Sequence, residues 1–461
     1  MSSDRVHDLV VAGFGPAGIS LAVAAVDHDE AQPTGLPALD AVFLERAADS
    51  AWQPNLMLPG TDIQHHFLRD FATPRDPRSR FTFPNYLVST GRFYPFTLLG
   101  GYASRREWSA YVEWAAREIG RPVEYHREVI EVLPVPEPDG RVRSVEVVSV
   151  DPRDGSHHRH RARNVAISTG HQPHVPEVFR PSLGERVFHA QELLPRLALL
   201  PDGPLRIAVI GAGQSAGEIL LHLAAAHPDN QLHALTRNAG FRMYELGHFS
   251  NEVYFPEETD YFYDLDGSQR ERVFAGAKAT NYAAVDPDVS TALYQSVYDD
   301  RLTGRKRWHI HRRTEVTDVA VRHGSDGTTS GVSLRLTEVN TGAVETIDVD
   351  AVVLSTGFTE PRIPSALRPI QEYLLTDGAG DPVVTRSHRV ETRDGFEAGV
   401  YLNGITEWRH GISSATSFSV MALKADTIHR DLRTRLASRA PAVGSPGTHI
   451  ETPAAEAPAN W

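Results

Sequence analysis

Gly13-Phe-Gly15-Pro-Ala-Gly18 has the spacing G-x-G-x-x-G, and Gly211-Ala-Gly213-Gln214-Ser215-Ala216 has the spacing G-x-G-x-x-A. In such strings the first glycine allows a tight turn and the second lets backbone approach a pyrophosphate. The last small residue lets a helix pack closely on a strand. That helix aims free N–H groups and its positive dipole end at the phosphates. Both strings have the required context, with Leu9-Val-Val-Ala12 or Ile207-Ala-Val-Ile210 before them and a helical pattern after. The strands that follow differ. Ala41-Val-Phe-Leu-Glu45 ends in an acid suited to ribose hydroxyls, whereas Gln231-Leu-His-Ala-Leu235 runs into Thr236-Arg237. A cation there suits a 2′-phosphate, which an acid would repel. The pair points to FAD at the first turn and NADPH at the second, with hydride passing between them.

The elements that must position these turns are those of an α/β fold. It has two Rossmann-like dinucleotide-binding domains, for FAD and NADPH, and a small substrate-binding region. Val165-Ala-Ile-Ser-Thr-Gly170 and Ala351-Val-Val-Leu-Ser-Thr-Gly357 read as further buried strands running into glycine turns. Residues 27–40 read as an inserted loop ahead of Glu45. Residues 51–100 are aromatic, Pro-rich and Arg-rich with little periodicity, the kind of stretch that wraps a ligand. Trp108, Tyr111, Trp114 and Ala115 recur at helical spacing and predict a helix over 105–120. The expected division is an FAD domain over 1–175 and 346–436, with residues 51–110 wrapping flavin and substrate. An NADPH domain is expected over 176–345, with 241–300 touching substrate. The Ala-, Pro- and Ser-rich stretch 437–461 reads as a disordered tail.

Composition narrows the function classes. The chain has 461 residues, a net charge of −13 and no cysteine. Disulfides, thiolate metal sites and a catalytic thiol are therefore excluded, and with them a flavin disulfide reductase. The acidic balance argues against nucleic acid as a partner. No apolar run reaches the roughly 18 residues that span a bilayer, and the first residues lack a secretory pattern. The expectation is a cytoplasmic protein without a membrane partner.

A longer set of strings resembles one family, the flavin-dependent N-hydroxylating monooxygenases that act on ornithine and lysine. These are Trp52, Leu58-Pro59, Gln64-x-x-Phe67-Leu68-Arg69-Asp70-x-Ala72-Thr73-x-Arg75-Asp76-Pro77, and Ser79-x-Phe81-Thr-Phe83-x-Asn85-Tyr86-Leu87. Gly213-Gln214-Ser215-Ala216, Phe249-Ser-Asn251-Glu252-Val253, Thr280-Asn281-Tyr282-x-x-Val285-Asp286, Ser355-Thr356-Gly357-Phe358 and His410-Gly411-Ile412-Ser413 follow in order. The resemblance implies that NADPH reduces FAD, that the reduced flavin and O2 give a C4a-hydroperoxyflavin, and that a neutral primary amine takes its distal oxygen. No metal and no nucleophilic side chain is needed. It also implies a homo-oligomer, a dimer or a tetramer.

Residue roles carry over by motif. Gln64 and Trp52 are expected near the isoalloxazine and nicotinamide, and Asn281 at the amine or NADP+, so Gln64 and Asn281 are the catalytic candidates. Asn251 and position 69 are expected at the substrate carboxylate, with Ser419 close to substrate and flavin. Cofactor contacts are expected from Gly13, Gly15, Gly18, Glu45, Trp52 and Gln64, and from Gly211, Gly213, Gln214, Ser215, Arg237, Thr356 and Gly357. The two asparagines could equally cap helices or brace turns.

Departures from the pattern concern charge. Arg69 stands where the family's amino-acid hydroxylases carry Lys, in a chain with 43 Arg and three Lys. His65, His66 and Arg409 add basic groups around it. If all lined the pocket, they would favour a second carboxylate, because an unpaired buried charge is costly. The leading expectation is therefore L-aspartate, hydroxylated on its α-amine towards nitrosuccinate. The alternative is N5-hydroxylation of L-ornithine or N6-hydroxylation of L-lysine for hydroxamates. A reading from another class is an uncoupled NADPH oxidase or a non-catalytic flavin-binding regulator.

Overall fold

In a computed structural model, residues 5–31, 37–325, 327–414 and 417–439 are described. Two five-stranded parallel sheets carry the two glycine turns. The first runs Gly399–Leu402, Asn164–Ile167, Leu9–Ala12, Ala41–Glu45, Val123–Tyr125. Its strands come from both ends of the chain. Val10, Ala12, Val42 and Leu44 feed one core and Leu9, Val11 and Phe43 another, so the strands are apolar on both faces. That is the pattern of a parallel sheet covered on each side. One cover is the Pro16–Ala31 helix, buried continuously from Gly18 to Val26, against the Met421–Arg439 helix.

The second sheet runs Val187–His189, Ala351–Leu354, Arg206–Ile210, Gln231–Thr236, Trp308–Arg312. A mainly antiparallel sheet accompanies each parallel one, built around Glu128–Ala162 and Thr314–Val349, and Val6–His7 joins the first of them in parallel. The chain passes between the two units twice, and the crossings pair as a short antiparallel ribbon, Phe358 opposite Pro173 and Thr359 opposite Gln172.

Three expected boundaries move. The middle unit keeps Ala351–Leu354, past the expected limit at 345, because that strand is hydrogen-bonded on both sides within the second sheet. Residues 27–31 continue the first helix rather than open a loop. Ala437–Arg439 close the last helix, with the Arg439 guanidinium donating to the Glu397 carbonyl, so the expected tail starts no earlier than 440. Residues 440–461 lie outside the described residues.

Residues 51–100 contain short turns and helices (Pro54–Leu56, Phe83–Ser89, Phe93–Thr97) around an aromatic core. Phe71, Phe81, Phe83, Tyr86, Trp108 and Tyr111 are fully buried there. Side-chain area, rather than ladder hydrogen bonds, holds this layer, which is why periodicity is weak in it. The buried Asp70 carboxylate ties its backbone, accepting from the N–H groups of Ala72, Thr73 and Phe83 at 2.6–2.9 Å.

Candidate active site

The first turn fits a dinucleotide by the space it keeps. Gly13 has φ +97°, and a Cβ on it would come within 2.5 Å of the Ser168 carbonyl oxygen. A Cβ on Gly18 would meet the Gly13 carbonyl at 2.2 Å, so helix and strand touch there. A Cβ on Gly15 would meet nothing within 4 Å, leaving open room at the helix start, where a pyrophosphate would sit. The Glu45 carboxylate reaches back to this turn and accepts the Phe14 N–H at 2.7 Å and the Ala47 N–H at 2.9 Å. Asn403 closes the turn from the far end of the chain, its Nδ2 donating to the Ala17 carbonyl at 2.9 Å and to Ser168 Oγ at 3.0 Å.

The second turn repeats the design. Gly211 has φ +137°, and its Cβ would clash with the Ser355 carbonyl at 2.2 Å. Ser215 is exposed at the helix start, and Arg237 is exposed after the next strand. Thr356 Oγ1 donates to the His174 carbonyl, and the Gly357 carbonyl meets His189 Nε2 at 3.0 Å, so both brace the crossing ribbon.

Between the two turns, five side chains from distant segments form one polar chain. Gln64 Nε2 donates to Asp286 Oδ2 at 3.1 Å, and the Asp286 N–H donates to Gln214 Oε1 at 2.8 Å. Gln214 Nε2 donates to Glu218 Oε1 at 3.1 Å, and Glu218 takes two bonds from Arg105 Nη2, at 3.0 and 2.8 Å. Arg105 Nη1 then donates to the Leu56 carbonyl at 3.1 Å. Gln214, a letter of the nucleotide string, thus locks the second turn to the flavin-side wrap. Gln64 was legible in sequence, but the ion pair behind it was not, since nothing local links Arg105 to Glu218. Asp62 faces this chain with its carboxyl pushed up to about 6 by burial, then by Asp288, Asp286 and Glu218.

Arg69 and Ser419 come together across 350 positions, Arg69 Nη1 donating to Ser419 Oγ at 2.8 Å. The Tyr254 ring lies 6.0 Å from the Arg69 guanidinium, and its hydroxyl donates to the Thr280 carbonyl at 2.9 Å, one residue from Asn281. Trp52 packs edge-on against Phe418 at 6.3 Å, and its backbone N–H donates to Ser109 Oγ at 3.3 Å. Asn251 Nδ2 donates to the carbonyl of Gly247, the residue before its own short helix, at 3.1 Å.

The other basic residues do not add charge to this pocket. His65 is held between Trp108 and Phe418, at 4.8 and 5.1 Å, and burial pushes its imidazole down to about 4. It is neutral at physiological pH. His66 is exposed and stacks on Phe67 at 4.5 Å. Arg409 lies on the Tyr263 ring at 3.7 Å and donates to the Tyr263 carbonyl at 2.8 Å. The premise for a second carboxylate therefore fails, because the expected cations are a neutral ring, a surface ring and a structural clamp.

Two dinucleotide-shaped turns joined by one polar chain define a flavoprotein oxidoreductase with a nicotinamide partner. Residues 5–360 match the family of L-lysine 6-monooxygenases and L-ornithine 5-monooxygenases, and the chain belongs to that family. It is 32% identical over 432 residues to the L-ornithine N(5)-monooxygenase of Pseudomonas aeruginosa, covering 93% of this chain and 94% of that one. An ornithine N-hydroxylase of Kutzneria sp. 744, solved with reduced FAD, NADP+ and L-ornithine, superposes with a TM-score of 0.86. Its identity is 31%, over 94% of this chain and all of that one. The L-lysine 6-monooxygenase of Pseudomonas syringae superposes at 0.82, with 38% identity over 93% of this chain and all of that one. The protein is a flavin-dependent N-hydroxylating monooxygenase using FAD, NADPH and O2. When bound, the flavin supplies the oxygen activation. The chain's own part is to hold the amine beside it and keep water out.

Among the described residues no helix is long and apolar enough to cross a membrane.

Proposed function

We propose that the enzyme N-hydroxylates the side-chain amine of L-ornithine. The observation that carries this reading is the Arg69–Ser419 contact, a cation for one carboxylate with no second cation beside it from His65, His66 or Arg409. The relatives named for ornithine support the same choice. In this reading residues 1–175 with 355–436 carry FAD, and the unit between them carries NADPH through Gly213, Ser215 and Arg237. Gln64 and Asn281 stand where the two cofactors and the amine meet. A homo-oligomer is supported by the exposed apolar stretch that includes Tyr94, Leu98 and Leu99.

Incubation with O2, NADPH and L-ornithine, L-lysine or L-aspartate in parallel, followed by mass spectrometry, tests the assignment. Ornithine is expected to gain one oxygen with NADPH consumption matched to product. Preferential oxidation of lysine would move the reading to N6, and oxidation of aspartate alone would overturn it. NADPH consumption that only yields peroxide with every amine would make the protein an oxidase.

A further inference from the structure

The oxygen acceptor must be a neutral amine, whereas a side-chain amine in water is protonated near pH 7. A proton acceptor near the amine end of the pocket would remove that obstacle. Tyr282, next to Asn281, donates its hydroxyl hydrogen to Glu407 Oε1. Glu407 begins the short helix Glu407–His410 and is 9% exposed. Tyr254 links this pair to Arg69: its ring lies 6.0 Å from the Arg69 guanidinium, and its hydroxyl donates to the carbonyl of Thr280, two residues before Tyr282, at 2.9 Å. A cation and an acid linked through Tyr254 and the Thr280–Tyr282 segment are complementary to a molecule with a carboxylate at one end and an ammonium at the other.

We propose that Glu407, acting through the Tyr282 hydroxyl, takes the proton from the substrate's side-chain ammonium. The ammonium N–H bond breaks and its hydrogen goes to the Tyr282 oxygen. The Tyr282 hydroxyl hydrogen goes to the Glu407 carboxylate. The products are a neutral amine, an unchanged tyrosine and a carboxylic acid, which returns its proton to solvent before the next turnover. Glu407 is a positioning residue in this scheme, because it acts on the amine through Tyr282.

The surroundings suit the task. Burial pushes the Glu407 carboxyl up to about 7, close to the pH at which a general base works best. The Tyr282 hydrogen bond, His171 and Lys278 pull it down, while Glu360 pushes it further up. Glu360 also accepts the Glu407 N–H at 3.1 Å, so the crossing ribbon fixes the start of this helix. Tyr254, on the other side, feels Glu407 and Arg69 together.

The inference rests on the diamino-acid reading, and its test separates the two. The holoenzyme is assayed for hydroxylated product from L-ornithine across pH 6 to 10, with flavin content and melting temperature measured for each variant. In the parent enzyme kcat/KM is expected to rise with a group near the pH given above. In Glu407→Gln it falls about 10²-fold near pH 7 and recovers as pH approaches the amine's own titration at about 10. Glu407→Asp restores part of the low-pH activity. Tyr282→Phe, which removes one oxygen atom, gives the same displaced profile and serves if Glu407→Gln does not fold. An unmoved pH limb in a folded Glu407→Gln or Tyr282→Phe overturns the proposal. No hydroxylated product from ornithine or lysine with the parent enzyme would instead overturn the function beneath it.

Discussion

At the scale of single residues, charge type decided less than where each charge is spent. Arg69 donates to a neutral serine, while Arg409 spends its charge on carbonyls and a tyrosine face. Arg69→Ala is expected to raise KM for the amino acid about 10²-fold, the loss of a charge-assisted bond worth roughly 1.5–3 kcal/mol. Steady-state kinetics at saturating NADPH measures it. Arg69→Lys keeps the charge without the planar fork, so a smaller loss is expected. Arg69 stood out as a candidate in the sequence because the surrounding string is long and specific. The neutrality of His65 did not, since it arises from Trp108 and Phe418, 43 and 353 positions away.

The two strand–turn–helix units respond differently to the same change. Gly13→Ala puts a methyl group against the Ser168 carbonyl at a backbone angle that favours glycine. The purified variant is expected to be colourless, with FAD lost, as judged by absorbance near the flavin bands. Gly211→Ala makes the matching clash against the Ser355 carbonyl. That variant is expected to stay yellow, while stopped-flow reduction by NADPH is abolished. Both turns were readable because a dinucleotide turn is a local object, set by a few glycines between a strand and a helix. The wrap over 51–100 was readable only as irregular, because its structure comes from aromatic rings meeting at a distance.

Across the whole molecule, the buried Arg105–Glu218 pair and the Gln214–Asp286–Gln64 chain join the two nucleotide units. Arg105→Met leaves the buried Glu218 without its charge partner, with only the Gln214 amide still donating to it, which costs about 3–5 kcal/mol. Adding Glu218→Leu is expected to recover much of that stability, as read by thermal melts. The share of NADPH diverted to peroxide is expected to stay high in both, because the NADPH unit is no longer fixed to the flavin unit. Asp62 adds a pH dependence. Its carboxyl is raised from 3.8 to about 6, so its ionised form is the one penalised in the fold. The stability it contributes is complete below 3.8 and is lost as pH climbs through about 6. Asp62→Asn is expected to raise the melting temperature at pH 8, by about 2 °C, and to leave it unchanged near pH 3.5. Equal shifts at both pH values would remove Asp62 from that account.

The amino-acid order alone determined the α/β class, the two glycine turns and the family, because each is written in contiguous strings. Only the tertiary structure decided which charges face the substrate. Burial and neighbours, not residue identity, set whether an imidazole is charged, whether a guanidinium is free and whether a carboxyl such as Glu407 can take a proton near neutral pH. Those neighbours lie 43 to 353 positions apart and are brought together only by the tertiary fold.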